Sequence, residues 1–185
     1  EHNMVVGTQP DVMAGIKKFG IILNVNPGML GEVPDDIANY GEGIRDFIMP
    51  VKTWLEEGIR VTFEAAGSDF WTPIHILTTR EVQQTRGIAA PDSEPLPKVT
   101  LVPEQAIDRV TALKMATTWA SEYMMAEDTL GTLESGKFAD FSVLDRDFFT
   151  IPISEILDIE VVMTGLAGEI IYDPNQIGGR PVILE

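Results

Sequence analysis

The sequence predicts an α/β fold, with helices and strands alternating up to about residue 130 and a small β part following over 131–185. Three observations carry that expectation. A short helix, a glycine and an apolar strand follow one another twice in the first sixty or so positions. Beyond Gly131 the pattern changes to short strands, two of them joined across a glycine-bounded turn. The 185 residues are 44% hydrophobic and 23% charged, so the chain has enough apolar material to bury a core.

The elements follow in order. Met4-Val5-Val6 is an apolar opening, and Gly7 to Pro10 reads as a turn. Pro10 suits a first helical position, Val12, Ile16 and Phe19 share one face, and Gly20 supplies the stop. Residues 21–26 form a buried-strand candidate, ended by Pro27 and Gly28. Gly41-Glu42-Gly43 reads as a loop. Pro50 starts a helix over 51–57, with Val51, Trp54 and Leu55 facing inward and Gly58 just past its end, and 59–63 is the next strand. A loop containing Asp69, a helical stretch over 74–84 and an exposed crossing over 87–97 come next. Pro103 opens another helix with Ala106, Ile107, Val110 and Leu113 in one stripe, and 114–123 continues as a second. Strands at 141–145, 159–164 and 169–172 complete the chain, with a hairpin turn at 165–168 and a tail from Asp173. The boundary therefore falls near residue 130, giving parts 1–130 and 131–185.

Charge and composition exclude several classes. Thirteen basic residues against 29 acidic ones give a net charge of −16, with no compensating basic run, which argues against nucleic acid or an anionic membrane as partner. No apolar run approaches the roughly 18 residues of a membrane span, and the first residues resemble no targeting signal, so a soluble chain is expected, with the cytoplasm favoured. With no cysteine and only His2 and His75, a metal site within this chain would rely mainly on carboxylates. The start on Glu1, without an initiator Met, suggests a fragment.

Gly131-Thr132-Leu133-Glu134-Ser135-Gly136-Lys137 matches most of a phosphate-binding loop, but Phe138 lacks the hydroxyl needed for magnesium and the segment leads into a strand, so nucleotide binding is not expected. Gly67-Ser68-Asp69 is more informative. A carboxylate just after an apolar strand is aimed at the site of a parallel α/β fold, although an aspartate there also caps the following helix.

Several segments together resemble one family. They are Glu1-His2, residues 22–27, the block from Phe47 to Val61, Gly67-Ser68-Asp69, residues 106–120, and the run from Gly131 to Asp145 with Gly136-Lys137-Phe138-Ala139-Asp140 at its centre. The chain resembles the C-terminal portion of the metal-dependent amidohydrolase superfamily, in particular the branch called amidohydrolase family 3, or YtcJ-like. The resemblance implies an α/β chain forming the C-terminal part of a TIM-like (β/α)8 barrel, about strands six to eight, followed by strands of a small composite β-sandwich. It implies hydrolysis of a small non-peptide C–N bond by metal-activated water, with about one or two divalent ions, zinc above all.

By the same resemblance, Asp69 is the catalytic aspartate and a metal ligand, and His2 is a metal ligand. The family runs from the strand directly into G-S-D, whereas here Glu64-Ala65-Ala66 intervene, which leaves Glu64 as the second candidate for the carboxylate facing the metal. His75 is placed outside the site, and Gly136 and Asp140 are architectural. The partners implied are a small-molecule substrate and the missing N-terminal part of the enzyme or a partner chain, in a homo-oligomer. A noncatalytic barrel fragment serving as an assembly module is the alternative.

Overall fold

The computed structural model describes residues 7–65, 69–85 and 96–178. Helix α1 (Pro10–Phe19) starts on its proline and ends at Gly20, whose left-handed backbone (φ 63°) lets its amide cap the carbonyls of Ile16 and Lys17. Its inward face differs from the expected one. Ile16 is buried with Met13 packed beside it, an i,i+3 pair, while Val12 is 39% and Phe19 72% exposed.

Strand β1 (Leu23–Val25) is buried along its length and pairs in parallel with β2 (Val61–Phe63), Leu23 opposite Val61 and Val25 opposite Phe63. Parallel neighbours need a crossover, and here it contains a 3-10 turn (Pro27–Glu32), α2 (Val33–Tyr40), a second 3-10 turn (Glu42–Phe47) and α3 (Val51–Glu56). Helix α3 turns Val51 and Trp54 fully inward, and Gly58 follows it with φ 77°. The sequence reading had no helix at α2.

The connection after β2 leads into α4 (Trp71–Thr79), which buries six of its nine residues. The expected helix over 74–84 is thus displaced. Arg80 takes a left-handed conformation (φ 60°) and ends α4, and residues 81–83 become strand β3 (Glu81–Gln83), antiparallel to β4 (Lys98–Thr100). The crossing expected over 87–97 lies mostly outside the described residues.

A separate 3-10 turn (Pro103–Gln105) precedes α5 (Arg109–Ala116), which the Asp108 carboxylate caps by accepting from the Thr111 amide at 2.9 Å. Because the helix begins at Arg109 rather than at Pro103, its face rotates. Ala112 and Met115 are buried, and Val110 is 45% exposed. A break at Thr117 separates α5 from α6 (Thr118–Tyr123), and both helices pack against β2.

The loop from Gly131 to Lys137 then runs into a three-stranded antiparallel sheet of β5 (Phe141–Leu144), β6 (Val161–Leu166) and β7 (Glu169–Tyr172), in that order. The hairpin turn is two residues rather than four, because Ala167 (φ 51°) and Gly168 (φ 85°) both take left-handed angles, the signature of a tight primed turn. The Asp140 carboxylate accepts the Ala167 amide at 2.7 Å and so ties the start of β5 to that turn.

Two apolar clusters hold these elements. The larger gathers β1, β2, α3 and the inner residues of α4 around Trp54 and Leu30. The smaller joins Trp71 and Ile74 of α4 and Ala112 of α5 to Phe148, Ile156 and Ile159. Arg109 reinforces it by donating from Nη1 to the carbonyls of Phe148 (2.6 Å) and Ile151 (2.8 Å).

Candidate active site

Because β1 and β2 run in parallel, both deliver their C-terminal ends to one side, where the chain leaves as loop. The Glu64 amide donates to the Val25 carbonyl at 2.9 Å, so Glu64 extends the ladder by one residue and sits, half-buried, at that end. In the middle of the pair two polar side chains face each other. The Asn24 Nδ2 donates to the Thr62 Oγ1 at 3.0 Å, and the Thr62 hydroxyl lies 3.3 Å from the Leu23 carbonyl, both residues being buried. Sequence reasoning passed over this pair; its signal was one polar residue at the centre of each apolar strand.

Asp69 stands between β2 and α4, exposed to solvent and held by the first turn of the helix. Its Oδ1 accepts the amides of Trp71 (2.7 Å) and Thr72 (2.8 Å), and its Oδ2 accepts the Thr72 hydroxyl (2.7 Å). Partial burial works to raise its pKa, but the hydrogen bonds from the Thr72 hydroxyl, the Thr72 amide and the Trp71 amide together win, and the carboxyl is held below the ordinary range. It is therefore ionised at neutral pH. The helix-capping role anticipated for an aspartate here is built in full. It leaves Oδ2 with a single neutral donor, so this oxygen retains accepting capacity toward solvent.

The other candidates lie apart. His2 falls outside the described residues. His75 is nine-tenths buried on α4 and lines a cavity of about 170 Å³ with Glu81 and Lys98. Burial lowers its pKa, Glu81 opposes and Lys98 adds, so the imidazole is neutral at physiological pH. Trp71 is 8% exposed and stacks on Phe148 with ring centroids 5.8 Å apart, which makes it a packing residue. Among the described residues, no group of three or more His, Cys, Asp or Glu side chains is placed to hold a metal ion. None of their helices is long and apolar enough to cross a membrane.

An ionised, helix-clamped aspartate thus follows the parallel strand pair along the chain. The model of the Amidohydrolase family matches residues 1–172. The chain belongs to the amidohydrolase family. It is similar to the N-substituted formamide deformylase of Arthrobacter pascens, with 29% identity over 181 residues that make up 94% of this chain. The chain spans about 30% of that relative's length. Among solved structures it is similar to an uncharacterized metal-dependent hydrolase from Pyrococcus furiosus, with a TM-score of 0.59 and 22% identity, covering 80% of this chain and 28% of the other. A second, described only as an uncharacterized protein, gives a TM-score of 0.58 at 16% identity over 93% of this chain and 39% of its own. At these identities the likeness is one of fold, and the mixed helix and strand architecture of this amidohydrolase fits a fragment of such a fold.

Proposed function

We propose that this amidohydrolase chain is the C-terminal part of a metal-dependent hydrolase that cleaves a small non-peptide C–N bond, with Asp69 as its reacting carboxylate. The observation that carries the reading is the ionised Asp69, clamped by the Trp71 and Thr72 amides just after a parallel strand. In this reading β1 and β2 are late strands of a TIM-like barrel, residues 131–185 belong to a composite β-sandwich, and the rest of the enzyme or a partner chain completes both.

Asp69 takes the proton of the attacking water on Oδ2 as the water oxygen bonds to the substrate carbon; when the C–N bond breaks, the same oxygen returns a proton to the departing nitrogen. A carboxylate held below its usual range is a weak base toward ordinary water. A divalent ion such as zinc, when bound, supplies the missing acidity by lowering the pKa of its water. The described residues do not fit a complete metal centre, having no group of three ligands; Asp69 and, outside them, His2 are the ligands assigned to this chain, and the remaining ones belong to the rest of the enzyme. Glu64 at the end of β2 is the second candidate for the carboxylate. The formamide relative points to N-substituted formamides as the first substrates to try.

One observation favours the alternative of a noncatalytic assembly module. Strand β7 is exposed along its whole length, as a surface awaiting another chain segment is. Intact mass and elemental analysis of the purified protein separate the two. A mass well above that of 185 residues with about one or two bound zinc ions, and loss of turnover in a folded Asp69→Asn variant, supports the hydrolase. A metal-free protein with the mass of these residues and no second chain overturns it in favour of the module.

A further inference from the structure

We propose that Arg80 is a positioning residue for Asp69, fixing from its far end the helix whose first amides hold the carboxylate. This rests on the reading of Asp69 as the reacting group. The side chain of Arg80 has no solvent exposure. Its Nε donates to the Leu101 carbonyl at 3.0 Å, and its two terminal nitrogens donate to the carbonyls of Met49 and Ile48 at 3.3 Å each. Among the described residues no carboxylate lies within ion-pair distance of it. Burial pushes its pKa down to about 10, with Glu104 opposing, so the guanidinium stays charged at neutral pH.

A buried cation whose side-chain hydrogen bonds, among the described residues, all go to carbonyls is a poor way to stabilise a core, since an apolar side chain of similar size does that at lower cost. What it provides instead is direction. A planar fork bonded to three carbonyls from two separate segments fixes those segments relative to one another. The backbone around it is held in conformations that L residues avoid. Arg80 itself (φ 60°), Met49 (φ 42°), which accepts from the fork, and Val102 (φ 49°), next to the accepting Leu101, are all left-handed. Backbone of this kind persists where the surrounding contacts over-determine it, and it gathers at sites whose geometry matters.

The contacts connect to the site through α4. The Arg80 amide donates to Ile76 at 2.7 Å and its carbonyl accepts from Leu101 at 3.0 Å, so the residue closes the helix as well as anchoring it. Nine residues of helix span about 13 Å as a stiff rod. The other end of that rod carries the amides of Trp71 and Thr72, on which the Asp69 carboxylate rests. Residues 48 and 49, in turn, lie within the crossover that leaves the C-terminal end of β1, just ahead of α3. Arg80 therefore registers the wall leaving β1 against the helix that orients the carboxylate leaving β2.

The test uses the complete enzyme with Arg80→Met, Arg80→Lys and Asp69→Asn. Hydrogen exchange of the peptide carrying Trp71 and Thr72 is read against that of β5 and β6, and kcat and KM are measured on an N-substituted formamide. Loss of three charge-assisted bonds is expected to speed exchange at Trp71 and Thr72 by about tenfold or more, with β5 and β6 unchanged. kcat should fall by a similar factor with KM held, and Arg80→Lys, which keeps the charge but not the fork, should lie between. Asp69→Asn should be inactive. If Arg80→Met loosens only residues 48–49 and 101 and keeps its kcat while Asp69→Asn is dead, Arg80 is a local staple and the inference is overturned alone. If Asp69→Asn keeps its turnover, the functional reading and this inference fall together. Should Arg80→Met not fold, Arg80→Lys decides on the same two readouts.

Discussion

The parallel β1–β2 pair and the three-stranded β5–β6–β7 sheet differ in what lies on their faces. Both strands of the parallel pair are enclosed: β1 is buried at every residue, and β2 is covered by α5 and α6. In the antiparallel sheet β7 is exposed at every residue, with Ile171 at 60% and Tyr172 at 49%, and only β5 and β6 find partial cover. The difference teaches where the stability of the described chain resides. Side-chain burial encloses the parallel pair, whereas the three-stranded sheet relies on its backbone ladder, the Ala167–Gly168 turn and the Asp140 tie, with the segment between β5 and β6 anchored on α4 and α5 through Phe148, Ile156 and Ile159.

Four substitutions sharpen or break that comparison. Trp54→Ala in α3, at a site with no exposure, should cost about 3–5 kcal/mol in denaturant unfolding. A loss under about 1 kcal/mol would mean that the α/β core does not carry the fold. Gly131→Ala comes next, because φ is 91° and an added Cβ would meet the Ser121 Oγ at 2.3 Å and the Thr118 Cα at 3.2 Å. A cost of about 1–3 kcal/mol is expected, read as a lowered urea midpoint. Asp108→Ala, which removes the cap of α5, should cost about 1 kcal/mol.

The same cap predicts a pH dependence. At both Asp108 and Asp69 partial burial raises the pKa but the hydrogen bonds outweigh it, so both folded values lie below the unfolded one. Their stabilisation is then complete above the unfolded value of about 3.9 and is lost as the pH falls through the folded values. Unfolding followed from neutral to acid pH should show this loss, and it should shrink in Asp108→Ala. Smallest of all is Ile171→Ala on β7, expected to shift stability by under about 0.5 kcal/mol. A loss of several times that would show that another segment covers this face.

The legible parts of the sequence were those with local punctuation. Gly20 and Gly58 mark the ends of α1 and α3, and the apolar runs that follow them give β1 and β2. What escaped was decided by distant contacts. Nothing near Arg80 in sequence says that a helix stops there; it stops because the guanidinium reaches carbonyls 31 and 32 positions earlier and 21 later. Likewise Phe19 has the spacing of an inward residue but lies at the last position of α1, past the turn that rests on the core. At the candidate site, the capping of α4 by Asp69 was legible from an aspartate placed just ahead of a helix, while its part in a reaction is a proposal. His2 lies outside the described residues, and the polar residue at the centre of each apolar strand, Asn24 and Thr62, becomes a pair only once the parallel register sets them opposite each other.

The crossover between β1 and α3 is tethered at both ends and loose between them. At its start, the Gly31 carbonyl accepts the Thr85 amide at 2.9 Å, with so little room that a Cβ on Gly31 would come within 2.5 Å of the Gln83 carbonyl. At its end, Arg80 grips residues 48 and 49. Most of the residues from 38 to 46 face solvent. Such a stretch behaves as an interchangeable cassette: its length and composition can drift, or be exchanged by design, while the strand ends it connects stay where they are. A fold built this way can explore new loop shapes at the end of its parallel strand pair without renegotiating its core.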